Sequence, residues 1–238
     1  MKYEKIIKGK FIERPNRFVA LAEADGKIVK THVKNTGRCR ELLVPGATVY
    51  LEDFAGRMGN RKMQYSLIGV EKKTPDGVIM VNMDSQAPNK VVHEALTGGK
   101  IVLEGMTELT LIRPEKTFGR SRFDFYVEDR EETGAFIEVK GVTLENDGIV
   151  RFPDAPTERG VRHINELVSA VEAGFSAYII FVIQMGGMKE FRPNDDTHAE
   201  FGKTLREAAA RGVKVLAYQC SVGTDYLDID SPVMVNLD

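Results

Sequence analysis

The sequence predicts a two-domain α+β chain, a small β-barrel followed by a mixed sheet with flanking helices. Residues 1–82 hold short β-rich runs separated by turn residues and no long helical period. Past residue 82, helical and strand periods alternate. Charge divides at the same place. Residues 1–82 carry 16 Lys+Arg against 9 Asp+Glu, whereas 83–238 carry 17 against 26. A basic unit beside an acidic one points to two domains, 1–82 and 83–238, with different tasks.

In the first unit, residues 6–12, 18–23, 28–33, 48–52, 63–70 and 78–82 read as strands, punctuated by Pro15-Asn16, Asp25-Gly26, Pro45-Gly46 and Asp76-Gly77. Asp25-Gly26 between two alternating runs is a two-residue hairpin signal. Residues 38–43 alone suggest a helical turn. Strands this short and this evenly spaced suit a small closed barrel.

In the second unit, residues 89–96 read as a helix stopped by Gly98-Gly99. Strands follow at 109–114, 122–127 and 135–142. A long helix spans 157–173, with Thr157 as N-cap and Gly174 past its end. Val161, Ile164, Leu167, Val168 and Val171 form its apolar stripe, leaving Arg159, Arg162, His163 and Glu166 on the charged side. Residues 177–183 are continuously apolar, as in a strand buried on both faces. A helix at 197–211 and a strand at 213–221 complete a mixed sheet.

Composition bounds the function. Seven residues is the longest apolar run, too short to cross a bilayer, and residues 1–9 lack a signal-peptide pattern. The two cysteines, Cys39 and Cys220, make neither a metal spacing nor a disulfide framework, so a reducing, cytoplasmic setting is expected.

The segment richest in chemistry runs from Ser121 to Gly141. Strand alternation puts Glu138 and Lys140 on one face, and sets Asp124 against Phe123, Phe125 and Val127. A hairpin centred on Glu131 brings Asp124 opposite Glu138. Two carboxylates about 5 Å apart repel by roughly 3 kcal/mol at an effective dielectric near 20. A divalent cation held by Asp124, Glu138 and the Val139 carbonyl offsets that repulsion, and such an oxygen-rich set suits Mg²⁺ or Mn²⁺. Lys140 beside it favours phosphate chemistry. The bland reading is a pair of exposed strand residues and a surface acid.

Asp124…Glu138-Val-Lys140 on adjacent strands, followed by a helix, resembles the PD-(D/E)xK nuclease superfamily, although Phe123 stands where its proline would be. Over nearly its whole length the chain also resembles the sugar fermentation stimulation protein A family. The strings are His32-Val-Lys-Asn-Thr-Gly-Arg38 with Glu41-Leu-Leu, Ser121-Arg-Phe-Asp124, Glu138-Val-Lys140-Gly, and Phe152-Pro-Asp-Ala-Pro-Thr157-Glu-Arg-Gly-Val-Arg-His163. The resemblance implies an N-terminal OB-fold, a restriction-endonuclease-like C-terminal domain, and DNA binding with a role in regulating sugar metabolism. The superfamily often adds an acid from its first helix, which makes Glu94 a further candidate metal ligand.

In the barrel, Lys8, Lys10, Arg14, Arg17, Lys34, Arg38 and Arg40 are the expected phosphate contacts, with Phe11, Phe18 and Tyr50 available either for base stacking or for the strand core. Lys72-Lys73 reads as a solvated turn. Around the carboxylates, Asp154, Arg159 and His163 are expected as supporting groups. Together these residues suggest a metal-dependent phosphodiesterase on DNA, possible partners extending to RNA or single strands. The alternative is a non-catalytic DNA-binding regulator that keeps the nuclease-like domain as scaffold.

Overall fold

In the computed structural model, residues 1–35, 37, 39–75 and 77–238 are described. The first unit contains β1 (Ile6–Asn16), β2 (Val19–Ala24), β3 (Lys27–Val33), β4 (Thr48–Asp53), β5 (Tyr65–Thr74) and β6 (Gly77–Asn82). They form one sheet in the order β3-β2-β1-β4-β5-β6, and a parallel pairing of β3 with β5 closes it into a barrel. Closure depends on β1, which pairs with β4 through residues 6–10 and with β2 from Lys10 onward. Register shifts between Phe11 and Glu13 and between Glu13 and Asn16 bend it from one partner to the other.

The predicted hairpin is present. Asp25 and Gly26 both have positive φ, 51° and 71°, as a type I′ turn requires, and Ala24 pairs with Lys27. Phe11, Ala20, Ala22, Val49, Leu51 and Leu67 fill the barrel. Leu42 and Leu43, carried on a turn in which the Leu43 amide donates to the Cys39 carbonyl, are buried in the same core.

The second unit contains α1 (Ala87–Thr97), β7 (Leu109–Phe118), β8 (Ser121–Asp129), β9 (Gly134–Val142), β10 (Leu144–Asn146), β11 (Ile149–Phe152), α2 (Glu158–Glu172), β12 (Ser176–Ile183), β13 (Glu190–Pro193), α3 (Asp195–Ala210), β14 (Lys214–Val222), β15 (Leu227–Pro232) and β16 (Met234–Val235). Its main sheet runs β15-β14-β12-β9-β8-β7, with β9, β12 and β14 mutually parallel. Residues 177–183 of β12 are wholly buried in its centre, as the continuous apolar run predicts. One face of the sheet packs on α2 and α3, the other on α1.

A second sheet, β10-β11-β13-β16, and the edge strand β15 were not foreseen. Four of these strands are two to four residues long, too short to establish a period, and β15 (LDIDSP) carries only two apolar residues.

Thr157 caps α2 as predicted, its hydroxyl accepting from the Gly160 amide at 3.0 Å. Thr157→Ala should cost about 1 kcal/mol. A drop of roughly 2–4 °C in Tm by calorimetry checks it.

Polar contacts join the two units. Asn82, at the end of β6, exchanges hydrogen bonds with Gln184, and Lys34 meets the buried carboxylate of Asp84 at 2.5 Å. Lys72, expected on a solvated turn, instead pairs with the buried carboxylate of Glu145 on β10. The reason is tertiary: the β10–β11 hairpin, invisible in the sequence pattern, comes to lie against β5. No helix among the described residues is long and apolar enough to cross a membrane.

Candidate active site

The link between β8 and β9 sets the geometry. The buried carboxylate of Asp129 accepts from the amides of Glu131 and Thr133 through one oxygen and from Thr107 through the other. Burial opposes that ionised carboxyl, but these donors outweigh it and hold the pKa below the ordinary range. The turn so fixed gives the pairs Phe125↔Ile137, Tyr126↔Phe136, Val127↔Ala135 and Glu128↔Gly134, which are symmetric about residue 131 as the sequence register requires.

Beyond Phe125 the ladder stops. The Val139 amide donates to Asp124 Oδ2 at 2.8 Å, in place of a backbone bond to β8. Phe123 therefore leaves the alternation expected of it. It packs on Phe136 and His163 beneath α2, whereas Phe125 packs on the α1 side. The N–H and C=O of one strand residue point to the same edge, so the Val139 carbonyl also faces the edge that carries Asp124.

Glu138 is 3% exposed. Its Oε1 accepts from Lys140 Nζ and from His163 Nδ1, both at 2.5 Å. Its Oε2 is buried and has no hydrogen-bond partner among the described residues. Burial pushes the Glu138 carboxyl up, but the His163 hydrogen bond and the Lys140 charge outweigh it and leave the pKa lowered. Asp124 goes the other way, raised by burial and then by the charge of Glu138, against the bonds from Val139 and Asn89. Two carboxylates with their pKa values pushed apart, beside a lysine, are the pattern of a reactive site.

Two helices complete it. From α1, Asn89 Nδ2 donates to Asp124 Oδ1 at 2.7 Å. The candidate Glu94 is not there. It lies more than a helical turn further along α1, and its carboxylate takes the Met1 amine at 2.7 Å. From α2, His163 is buried rather than on an outer charged face, because it lies three residues after Gly160 and four before Leu167, on the buried side turned toward β9. Arg159 Nε donates to His163 Nε2 at 3.2 Å, which selects the tautomer carrying its proton on Nδ1. Asp154 lies against Gly37 of the barrel, in contact so close that a Cβ at Gly37 has no room. Gly141 is constrained likewise, since a Cβ there would lie 2.6 Å from Gln184 Oε1 and 2.9 Å from Pro88.

Of the barrel cations, several are engaged within the fold. Arg14 donates to the carbonyls of Arg17, Asn35 and Gly37, Lys34 pairs with Asp84, and Lys10 donates to the Thr48 hydroxyl. Lys8 stands 3.5 Å from Glu71. Arg17 lies over the exposed ring of Phe18 and Arg40 is exposed, while Arg38 lies outside the described residues. Phe11 and Tyr50 are core residues, not stacking platforms.

Fold and site together define a class: an OB barrel joined to a restriction-endonuclease-like domain with a carboxylate–lysine centre. Residues 12–81 match the model of the SfsA N-terminal OB domain, and 86–226 that of the sugar fermentation stimulation protein RE domain. The chain belongs to the sugar fermentation stimulation protein family. A sugar fermentation stimulation protein homolog of Clostridium beijerinckii is 53% identical, and one of Desulfitobacterium hafniense 51%. Both align over all of this chain, with 100% and 99% of their own lengths covered. The solved structure of Pyrococcus furiosus SfsA in complex with Ca²⁺ superposes with a TM-score of 0.85 at 26% identity, covering 99% of this chain and 98% of that one.

Proposed function

We propose that the protein is a divalent-metal-dependent nuclease that hydrolyses phosphodiester bonds in DNA, residues 1–82 holding the nucleic acid and residues 83–238 cutting it. The observation that carries this reading is the buried, unpartnered Oε2 of Glu138. Leaving a buried carboxylate oxygen unsatisfied costs on the order of 1–3 kcal/mol, and a cation is what relieves it.

The donors fit one. Asp124, Glu138 and the Val139 carbonyl are all oxygen ligands, which suit Mg²⁺ or Mn²⁺ better than a thiolate-seeking metal. The Ca²⁺ bound by the relative from Pyrococcus furiosus is a hard ion of the same preference. Once bound, such a metal would polarise the phosphodiester and lower the pKa of water.

The remaining work falls to side chains. Asn89 and the Val139 amide orient Asp124, while His163 fixes Glu138. Lys140, whose ammonium keeps two further N–H groups after donating to Glu138, offers them to the phosphate or to the attacking water. Glu94 and Asp154 have no part in this reading.

Labelled duplex DNA should be cut when Mg²⁺ or Mn²⁺ is added and spared when a chelator removes it. Cleavage that ignores the chelator and survives Lys140→Met would overturn the reading. Binding without cleavage would leave a DNA-binding regulator built on the nuclease scaffold.

A further inference from the structure

With four of the seven expected barrel cations engaged within the fold, Lys8, Lys10, Arg14 and Lys34, the loop joining β4 to β5 supplies further cations. It carries Arg57, Arg61 and Lys62. Arg57 is tied to Glu4 at 2.7 Å, but neither Arg61 nor Lys62 has an ion-pair partner among the described residues. Arg61 lies over the ring of Phe54, 3.6 Å from its centroid, and donates to the Ser66 hydroxyl. Its Nε is buried without an acceptor. The stack and the bond hold the guanidinium in one place, so little of its freedom remains to be lost on binding.

His32 of β3 stands beside it. Burial lowers the pKa of its imidazole, and the charges of Arg61 and Lys34 lower it further. Among the described residues, the acid acting on His32 is Asp84, which Lys34 already occupies. His32, Arg61, Lys62 and Met63 line a surface hollow of about 280 Å³, ample for a phosphate group beside a water volume of roughly 30 Å³.

We propose that this hollow is a phosphate subsite that grips the DNA backbone on one side of the scissile bond. That position rests on the nuclease reading; the anion-binding character of the hollow does not. His32 lies two residues before Lys34, whose partner Asp84 lies three residues before the start of α1, the helix that delivers Asn89 to Asp124.

The test is duplex binding by the full chain in metal-free buffer, followed by fluorescence anisotropy over a range of salt. Lys62→Gln, at an exposed position, should make the slope of log affinity against log salt shallower by about 1, and Lys62→Gln with Arg61→Gln by about 2. Both should weaken unrelated sequences equally. Lys203→Gln, on α3 and paired with Glu207 one helical turn away, should leave the slope as it was. A wild-type slope in both Lys62→Gln and the double variant, or no duplex binding by the unaltered protein, overturns the subsite. Wild-type protein that cuts DNA while these variants keep its slope discards the hollow and leaves the nuclease. Slopes that change in protein that never cuts do the reverse.

Discussion

Asp124→Asn is expected to lower DNA cleavage at least about 10³-fold while making the metal-free protein more stable at neutral pH. The loss follows from removing one of two carboxylates available to a metal whose charge stabilisation is worth several kcal/mol. The gain follows from the direction of its titration. Burial and the neighbouring charge of Glu138 raise the Asp124 carboxyl in the folded state. A carboxyl raised on folding favours the fold below that raised value and opposes it once ionised, so at neutral pH the charge is a cost.

Asparagine removes the charge without stranding a hydrogen bond. Its carbonyl can accept from the Val139 amide, and its amide can donate to Asn89 once that side chain turns its oxygen inward. Lys140 and His163 on Glu138 already offset part of the repulsion between the two carboxylates, so its relief is worth up to about 1 kcal/mol, or about 2–4 °C in Tm. Cleavage of labelled duplex DNA in Mn²⁺ reads the loss, and calorimetry with and without Mn²⁺ reads the gain. A variant that melts lower than wild type without metal, or is stabilised by Mn²⁺ as wild type is, would show that Asp124 bears no strain awaiting a cation.

That strain was legible in the sequence because it depends on local pairing. The symmetric β8–β9 hairpin needs only the link of residues 128–134, and its register, which ends at Phe125↔Ile137, sends the next residues, Asp124 and Glu138, toward each other closely enough for their charges to interact. The long period of α2 and the apolar run of β12 were equally plain. What crosses the chain was not. Asn89 and His163 reach the site from helices 35 and 25 residues away from their partners, and their distance from Asp124 and Glu138 is fixed only by packing. His163 read as surface because a charged neighbour on either flank, Arg159 and Arg162, dominates that side of the helix. The buried pairs Lys34–Asp84 and Lys72–Glu145 were likewise invisible, since a lysine that closes a domain junction has the same local pattern as one that waits for a phosphate.

His163 is the residue for which the structure changes the expectation most. His163→Ala is expected to weaken Mn²⁺ binding about 10–100-fold, the effect typical of removing a group that orients a metal ligand. Loss of a hydrogen bond to a buried charge should also cost about 1.5–3 kcal/mol of stability. Both effects follow from Oε1 of Glu138. With His163 and Lys140 on that oxygen, the carboxylate cannot turn, and Oε2 stays free to meet a cation. Without the imidazole, Lys140 alone holds Glu138 and can swing across to Oε2, so metal and ammonium compete for one atom. Cleavage at saturating Mn²⁺ should then stay within severalfold of wild type, because no reacting atom touches His163, while the metal concentration at half-maximal rate rises. His163→Asn sharpens the assignment: its amide Nδ2 can occupy the place of the Nδ1–H and donate to the same oxygen, so metal affinity should return toward wild type. A His163→Ala protein with unchanged metal dependence, or a folded His163→Asn protein no better than the alanine variant, would mean that the imidazole merely fills space behind Glu138.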